Sequence, residues 1–95
     1  MSDTDFESIQ NYYEQPVLKA VAEGAERYPM LGGELLADVA CVALNRLPPR
    51  YIRHPVDLAF YLSDREREEN SRMVSDAVNH AFEFVQARVA MRARR

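Results

Sequence analysis

Apolar residues recur along this chain at helical spacing in three stretches of unequal clarity. The last is the clearest. Val74, Val78, Ala81, Val85 and Val89 fall on one stripe at 100° per residue, with Phe82 at its edge, and Met73, Ala77, Phe84 and Met91 widen the apolar face to about half the circumference. Upstream, Ser63-Asp-Arg-Glu66 has the form of a capping box, and neither proline nor glycine interrupts the chain from there to Met91, so a helix is predicted over 63–91. Its apolar face is wider than one packing partner requires, and positions 74, 78, 81 and 85 follow the 4-3-4 spacing of a helix-pairing seam. Val74, Val78, Ala81, Phe82 and Val85 are therefore the expected interface of a homodimer, against the alternative of a helix wedged between two others of its own chain.

The second stretch, Leu35 to Leu44, is apolar at every position but Asp38, which predicts a helix from Glu34 to Leu47 that is hydrophobic nearly all round and buried. Pro48-Pro49 ends it by removing two backbone donors and fixing two φ angles. The first stretch places Phe6, Ile9, Tyr13, Val17, Val21 and Tyr28 on one stripe behind a possible capping box, Thr4-Asp-Phe-Glu7. Pro16 interrupts it, leaving a helix kinked near Tyr12 or two segments, 4–14 and 16–28, with Pro16 in the first turn of the second. The unbroken stripe favours the kink. Tyr28-Pro-Met-Leu-Gly-Gly33 reads as a loop. Arg50 to Pro55 reads as extended, either pairing with its copy in a second chain or crossing the surface, and Val56 to Leu62 as a short helix or turn whose Leu58, Ala59 and Tyr61 cover the core. The pattern as a whole predicts an all-α fold: one small domain of three main helices with a Pro-Pro corner and a short extended segment, dimeric.

Composition narrows this picture. With 95 residues, 47% of them apolar, the chain suits one globular domain near the size where a partner subunit helps. No apolar run approaches the roughly 18 residues of a membrane span, and the polar N-terminus lacks a signal-peptide core, so a cytoplasmic location is expected. The single cysteine, Cys41, excludes an internal disulfide or a multi-thiolate metal site and reads as a small hydrophobe within the apolar helix. His54 and His80 have no second ligand at helical spacing, so no metal is expected.

The net charge of −3 is unevenly spread. Residues 39–55 carry Arg46, Arg50 and Arg53 and no acid, whereas residues 1–38 carry eight acids against Lys19 and Arg27. An acidic chain with one local basic corner suits a small anionic ligand better than a nucleic acid, whose binding needs many phosphate contacts. The alternative is an arginine corner paired with the chain's own carboxylates. No histidine neighbours the cysteine, no Gly-rich phosphate loop is present, and no paired carboxylates stand in an apolar frame, so the residues do not favour an enzyme.

Val42-Ala-Leu-Asn-Arg-Leu-Pro-Pro-Arg-Tyr51, after an Asp-Val-Ala segment, resembles the signature of the late competence development protein ComFB family, and Asn11-Tyr-Tyr-Glu14 resembles that family's first-helix signature. The likeness covers about residues 8–55 and extends to the last helix only in character. It implies a small, helical, dimeric, non-enzymatic protein of a family known for receptors of cyclic dinucleotides, cyclic di-GMP especially and also cyclic di-AMP. Some members hold zinc through cysteines between the first two helices; Tyr28 to Glu34 contains none, so zinc is not expected.

On that basis the expected ligand site is Asp38, Asn45, Arg46, Arg50, Tyr51 and Arg53, with an effector protein of unknown identity downstream. The arginines can fork onto phosphate or onto guanine O6 and N7, and Tyr51 can stack on a base. Asp38 can accept from guanine N1 and N2, which would favour cyclic di-GMP. Structural roles compete at each position: Asp38 as the buried partner of Arg46 or Arg50, Asn45 as a cap of the helix end, Tyr51 as core. Asn11 and Glu14 are helix surface or protomer contact. A ligand-free dimeric interaction module is the alternative function.

Overall fold

The computed structural model describes residues 4–93. The order is a single 3-10 turn (Phe6–Ser8), β1 (Gln10–Asn11), α1 (Glu14–Gly24), a second 3-10 turn (Ala25–Arg27), α2 (Gly33–Arg46), β2 (Tyr51–Ile52), α3 (Pro55–Tyr61) and α4 (Asp64–Ala93). The all-α expectation holds, with one two-stranded exception. α4 is the organising element: 30 residues, roughly 45 Å at 1.5 Å per residue, in a molecule whose longest extent is 52 Å. Its start follows the predicted cap, since the Glu66 amide donates to Ser63 Oγ at 3.1 Å. It continues through Ala93, two residues past the expected end at Met91.

α4 packs along α2 and, less extensively, along α1. Tyr13 faces Asn70 while Gly24 and Tyr28 face Phe82, so α1 and α4 run parallel. Arg46 at the end of α2 meets His80, whereas Leu35 near its start lies by Val89, so α2 and α4 run antiparallel. Val74, Val78, Ala81, Phe82 and Val85 are no more than 6% exposed within this single chain. They pack with Val17, Val21, Val39 and Ala43 in its own core, which corrects their assignment to a dimer seam. The buried part of the apolar face serves two partners of the same chain, whereas Met73, Phe84 and Met91, which widened it, remain exposed.

α2 itself is half covered. Val39, Ala40 and Ala43 are buried, but Ala37 and Cys41 face outward, because α2 has neighbours on one side only. The expected all-round burial and the interior cysteine are thus corrected; Cys41 is a free, exposed thiol. Under α3, Leu58 and Leu62 are buried as that amphipathic turn requires, while Ala59 and Tyr61 point away from the core they were expected to cover.

The first helix begins ten residues later than the capping-box pattern at Thr4 suggests. Pro16 sits in the first turn of α1, the two-segment alternative, and residues 4–13 form a turn and a strand rather than a helix. Phe6 and Ile9 are consequently exposed. β1 pairs antiparallel with β2, Gln10 opposite Ile52 and Asn11 opposite Tyr51, so the extended segment finds its partner within its own chain.

At the far end of α1 the chain approaches α4 closely. A Cβ on Gly24 would lie 2.7 Å from Cε2 of Phe82, a ring already stacked on Tyr28 with centroids 4.5 Å apart. Gly24→Ala gains up to about 1 kcal/mol of helix propensity, but crowding a fully buried ring costs roughly 1–3 kcal/mol. Net destabilisation near 1 kcal/mol is expected, visible as a fall in Tm of about 4–8 °C. A variant that melts higher than the parent would mean the ring can yield.

Candidate functional site

The Pro-Pro corner is fixed by a clasp that the sequence signature already contains. Asn11 Oδ1 accepts the Tyr13 amide at 3.2 Å and the Arg50 amide at 3.1 Å. Glu14 Oε2 reaches back to accept the Asn11 amide at 3.0 Å. Asn11 and Glu14 therefore form a reciprocal box at the start of α1, and the same asparagine holds the residue after Pro49. The carbonyl of Arg50 accepts the Tyr12 amide at 2.6 Å, so both backbone groups of Arg50 are engaged. Asn11 and Glu14 are not bare helix surface; they join the first helix to the corner. Asn11-x-x-Glu14 followed by Pro16 was a readable start signal, and it competed with the similar pattern at Thr4.

What the clasp presents is Arg50 and Tyr51. Tyr51 is 70% exposed, which removes it from the core. The Arg50 guanidinium makes no hydrogen bond or ion pair among the described residues, although the backbone beneath it is held on both sides. Arg53 differs: its Nη2 pairs with Asp5 at 3.0 Å and its Nε donates to Ser8 Oγ at 3.1 Å. One of the three arginines is thus occupied by the chain's own carboxylate, as the alternative reading of the basic corner anticipated. Both partners are exposed, so the pair is worth little to stability.

Arg46 lies at the end of α2, its Nη1 3.4 Å from His80 Nε2. His80 stacks loosely on Phe84 with centroids 6.1 Å apart, and Arg88 lies over the other end of this strip, 5.8 Å from the Phe84 centroid. Asn45 is exposed and caps nothing; the helix closes through the Leu47 amide on the Leu44 carbonyl. Asp38 is exposed and forms no ion pair with Arg46 or Arg50 among the described residues. It borders a separate pocket between α2 and the last turns of α4, with Cys41, Phe84, Arg88 and Arg92. The corner thus presents Arg50 and Tyr51, while Arg46 turns from the end of α2 toward His80 with Asn45 exposed in the preceding position; Arg53 is tied into the N-terminal turn, and Asp38 lies about two helical turns before Asn45. No group of three or more His, Cys, Asp or Glu side chains comes together among the described residues, and no described helix is long and apolar enough to cross a membrane.

A helical domain with a clasped, arginine-bearing Pro-Pro corner defines a class of small all-α protein in which the signature residues build one local structure. The chain belongs to the family described as late competence development protein ComFB, whose model matches residues 10–89 and so spans the clasp, the corner and nearly all of the core. A comparison with curated proteins gave no match.

Proposed function

We propose that this protein is a non-enzymatic cytoplasmic receptor that binds a cyclic dinucleotide, cyclic di-GMP foremost, at the corner formed by Asn45, Arg46, Arg50 and Tyr51, and relays it to an effector protein. The observation that carries this reading is Arg50: a backbone held from both sides beneath a guanidinium that has no partner among the described residues. Such an arginine has its backbone already ordered and breaks no intrachain pair on meeting a phosphate or a guanine edge. Tyr51 beside it offers a flat face, and stacking on a base contributes about 1–3 kcal/mol in single-strand sites. Arg53, tied to Asp5, would add only long-range charge, and Asp38 has no part in this version of the site. No metal is needed.

Calorimetric titration with cyclic di-GMP, cyclic di-AMP and GTP tests the proposal. Selective binding at micromolar concentration or tighter is expected, with Arg50→Ala weakening it more than tenfold at unchanged circular dichroism. Absence of heat with every cyclic dinucleotide sinks the receptor reading, and a folded Arg50→Ala variant of full affinity removes Arg50 from the site. The second reading, a ligand-free dimeric interaction module, draws on α3, where Phe60 and Tyr61 are 83% and 81% exposed beside an exposed Val56.

A further inference from the structure

α4 carries a second helix-pairing line besides the one buried in its own core. Met73, Ala77, His80, Phe84, Ala87 and Met91 succeed one another at 4-3-4-3-4 spacing, the repeat of two helices packed side by side. At 100° per residue this line lies about 110° around the helix from that of Val74, Val78, Ala81 and Val85. Of its six members only Ala77 is buried; the other five are exposed. The adjoining side of α2 is uncovered too, since Cys41 is exposed and lines one shallow pocket with Phe84.

We infer that this exposed line is an interaction surface for a second copy of the chain, the two α4 helices running antiparallel. Two features select that occupant. First, the order of side chains is self-complementary: about a twofold axis near position 82, Met73 meets Met91 of the copy, Ala77 meets Ala87, and His80 meets Phe84. Long side chains fill the two ends, and the alanines let the backbones approach. Second, α4 is polarised in charge, residues 64–76 carrying five acids against three arginines and residues 83–93 two arginines against one glutamate. Antiparallel pairing sets the acidic half on the basic half of the copy, whereas parallel pairing would set like on like. His80, the one polar member, enters already engaged: its Nε2 faces Arg46 Nη1 at 3.4 Å and its ring stacks on Phe84. From Met73 to Met91 the line runs about 27 Å, which at a helix width of about 10–12 Å is a strip of roughly 300 Å². That is below the ~800 Å² per partner of a standard interface, so the dimer is reversible and grows with concentration. The pairing needs no ligand at Arg50 and stands apart from cyclic-dinucleotide binding.

Sedimentation equilibrium of the full chain without ligand, from micromolar to millimolar concentration, tests the pairing. The mass is expected to rise from the 10.9 kDa of one chain toward twice that value. Phe84→Glu and Met91→Glu, both at exposed positions, should each weaken association at least tenfold at unchanged circular dichroism. Orientation is read by cross-linking in a Cys41→Ser background. Mild oxidation of Met73→Cys/Met91→Cys should give a dimer that resists detergent, and Met73→Cys alone should give none. Antiparallel helices hold the two 73 positions about 27 Å apart, beyond the reach of a disulfide. A single-chain mass at millimolar concentration overturns the inference. Association of full strength in both glutamate variants places the dimer on another surface and overturns it equally, and cross-linking by Met73→Cys alone overturns the antiparallel register.

Discussion

Phe82→Ala is expected to lower the free energy of unfolding by about 3–5 kcal/mol, the usual cost of removing a fully buried aromatic side chain. Phe82 is 0% exposed, stacked within 5° of parallel on Tyr28, and closed from above by the bare backbone of Gly24. The surroundings cannot collapse easily into the space, because α1 is already at its closest approach. Against a total stability of about 5–15 kcal/mol for a domain of this size, such a loss leaves the variant marginal. Urea unfolding should show a midpoint far below the parent's with little change in slope. A cost under about 1.5 kcal/mol, the range of conservative core swaps, would mean that the α1–α4 contact repacks.

The second large effect is expected at a half-exposed polar residue. Asn11→Ala removes one oxygen that serves two amides, Tyr13 and Arg50, each bond contributing about 0.5–1.5 kcal/mol, for a combined loss near 2 kcal/mol. Asn11→Asp keeps an acceptor in the same place and should recover most of it. Hydrogen exchange gives the local readout: the Arg50 and Tyr12 amides should lose protection in Asn11→Ala far more than those of Val39 or Val78 in the helices. Uniform loss across all four would make Asn11 a global support rather than the clasp of the corner. Unchanged protection at Arg50 would dismiss the clasp altogether.

The contrast between α4 and the N-terminal segment shows what local signals can and cannot convey. Ser63-x-x-Glu66 and the uninterrupted run behind it specify α4 without reference to the rest of the chain, and Pro48-Pro49 ends α2 by its own stereochemistry. Phe6 and Ile9 share the helical phase of Tyr13 and Val17, yet they stand outside the helix, because Gln10 and Asn11 are extended by pairing with residues some forty positions away. No window along the sequence contains that pairing. Cys41 failed for a related reason: an apolar helix declares what it could bury, whereas the number of neighbours that arrive is a property of the fold. At the site, Arg46 and Arg50 were legible as basic chemistry around a rigid break, whereas Asn45 and Tyr51 stood open between ligand and structural roles until the fold exposed them. The capture of Arg53 by Asp5 and the placing of Asp38 beside Phe84 and Arg88 depend on which segments meet, and residue types alone do not carry that.

The clasp also has a kinetic side. A contact between Asn11 and Arg50 closes a long segment, and in a flexible chain that closure would be entropically costly. Here α1 and α2 fill the segment and pack on each other, so the ends are delivered together once the helices dock. The closure of the corner thus rests on the α1–α2 contact, and a substitution that loosens this contact is expected to lower the hydrogen-exchange protection of the Arg50 amide.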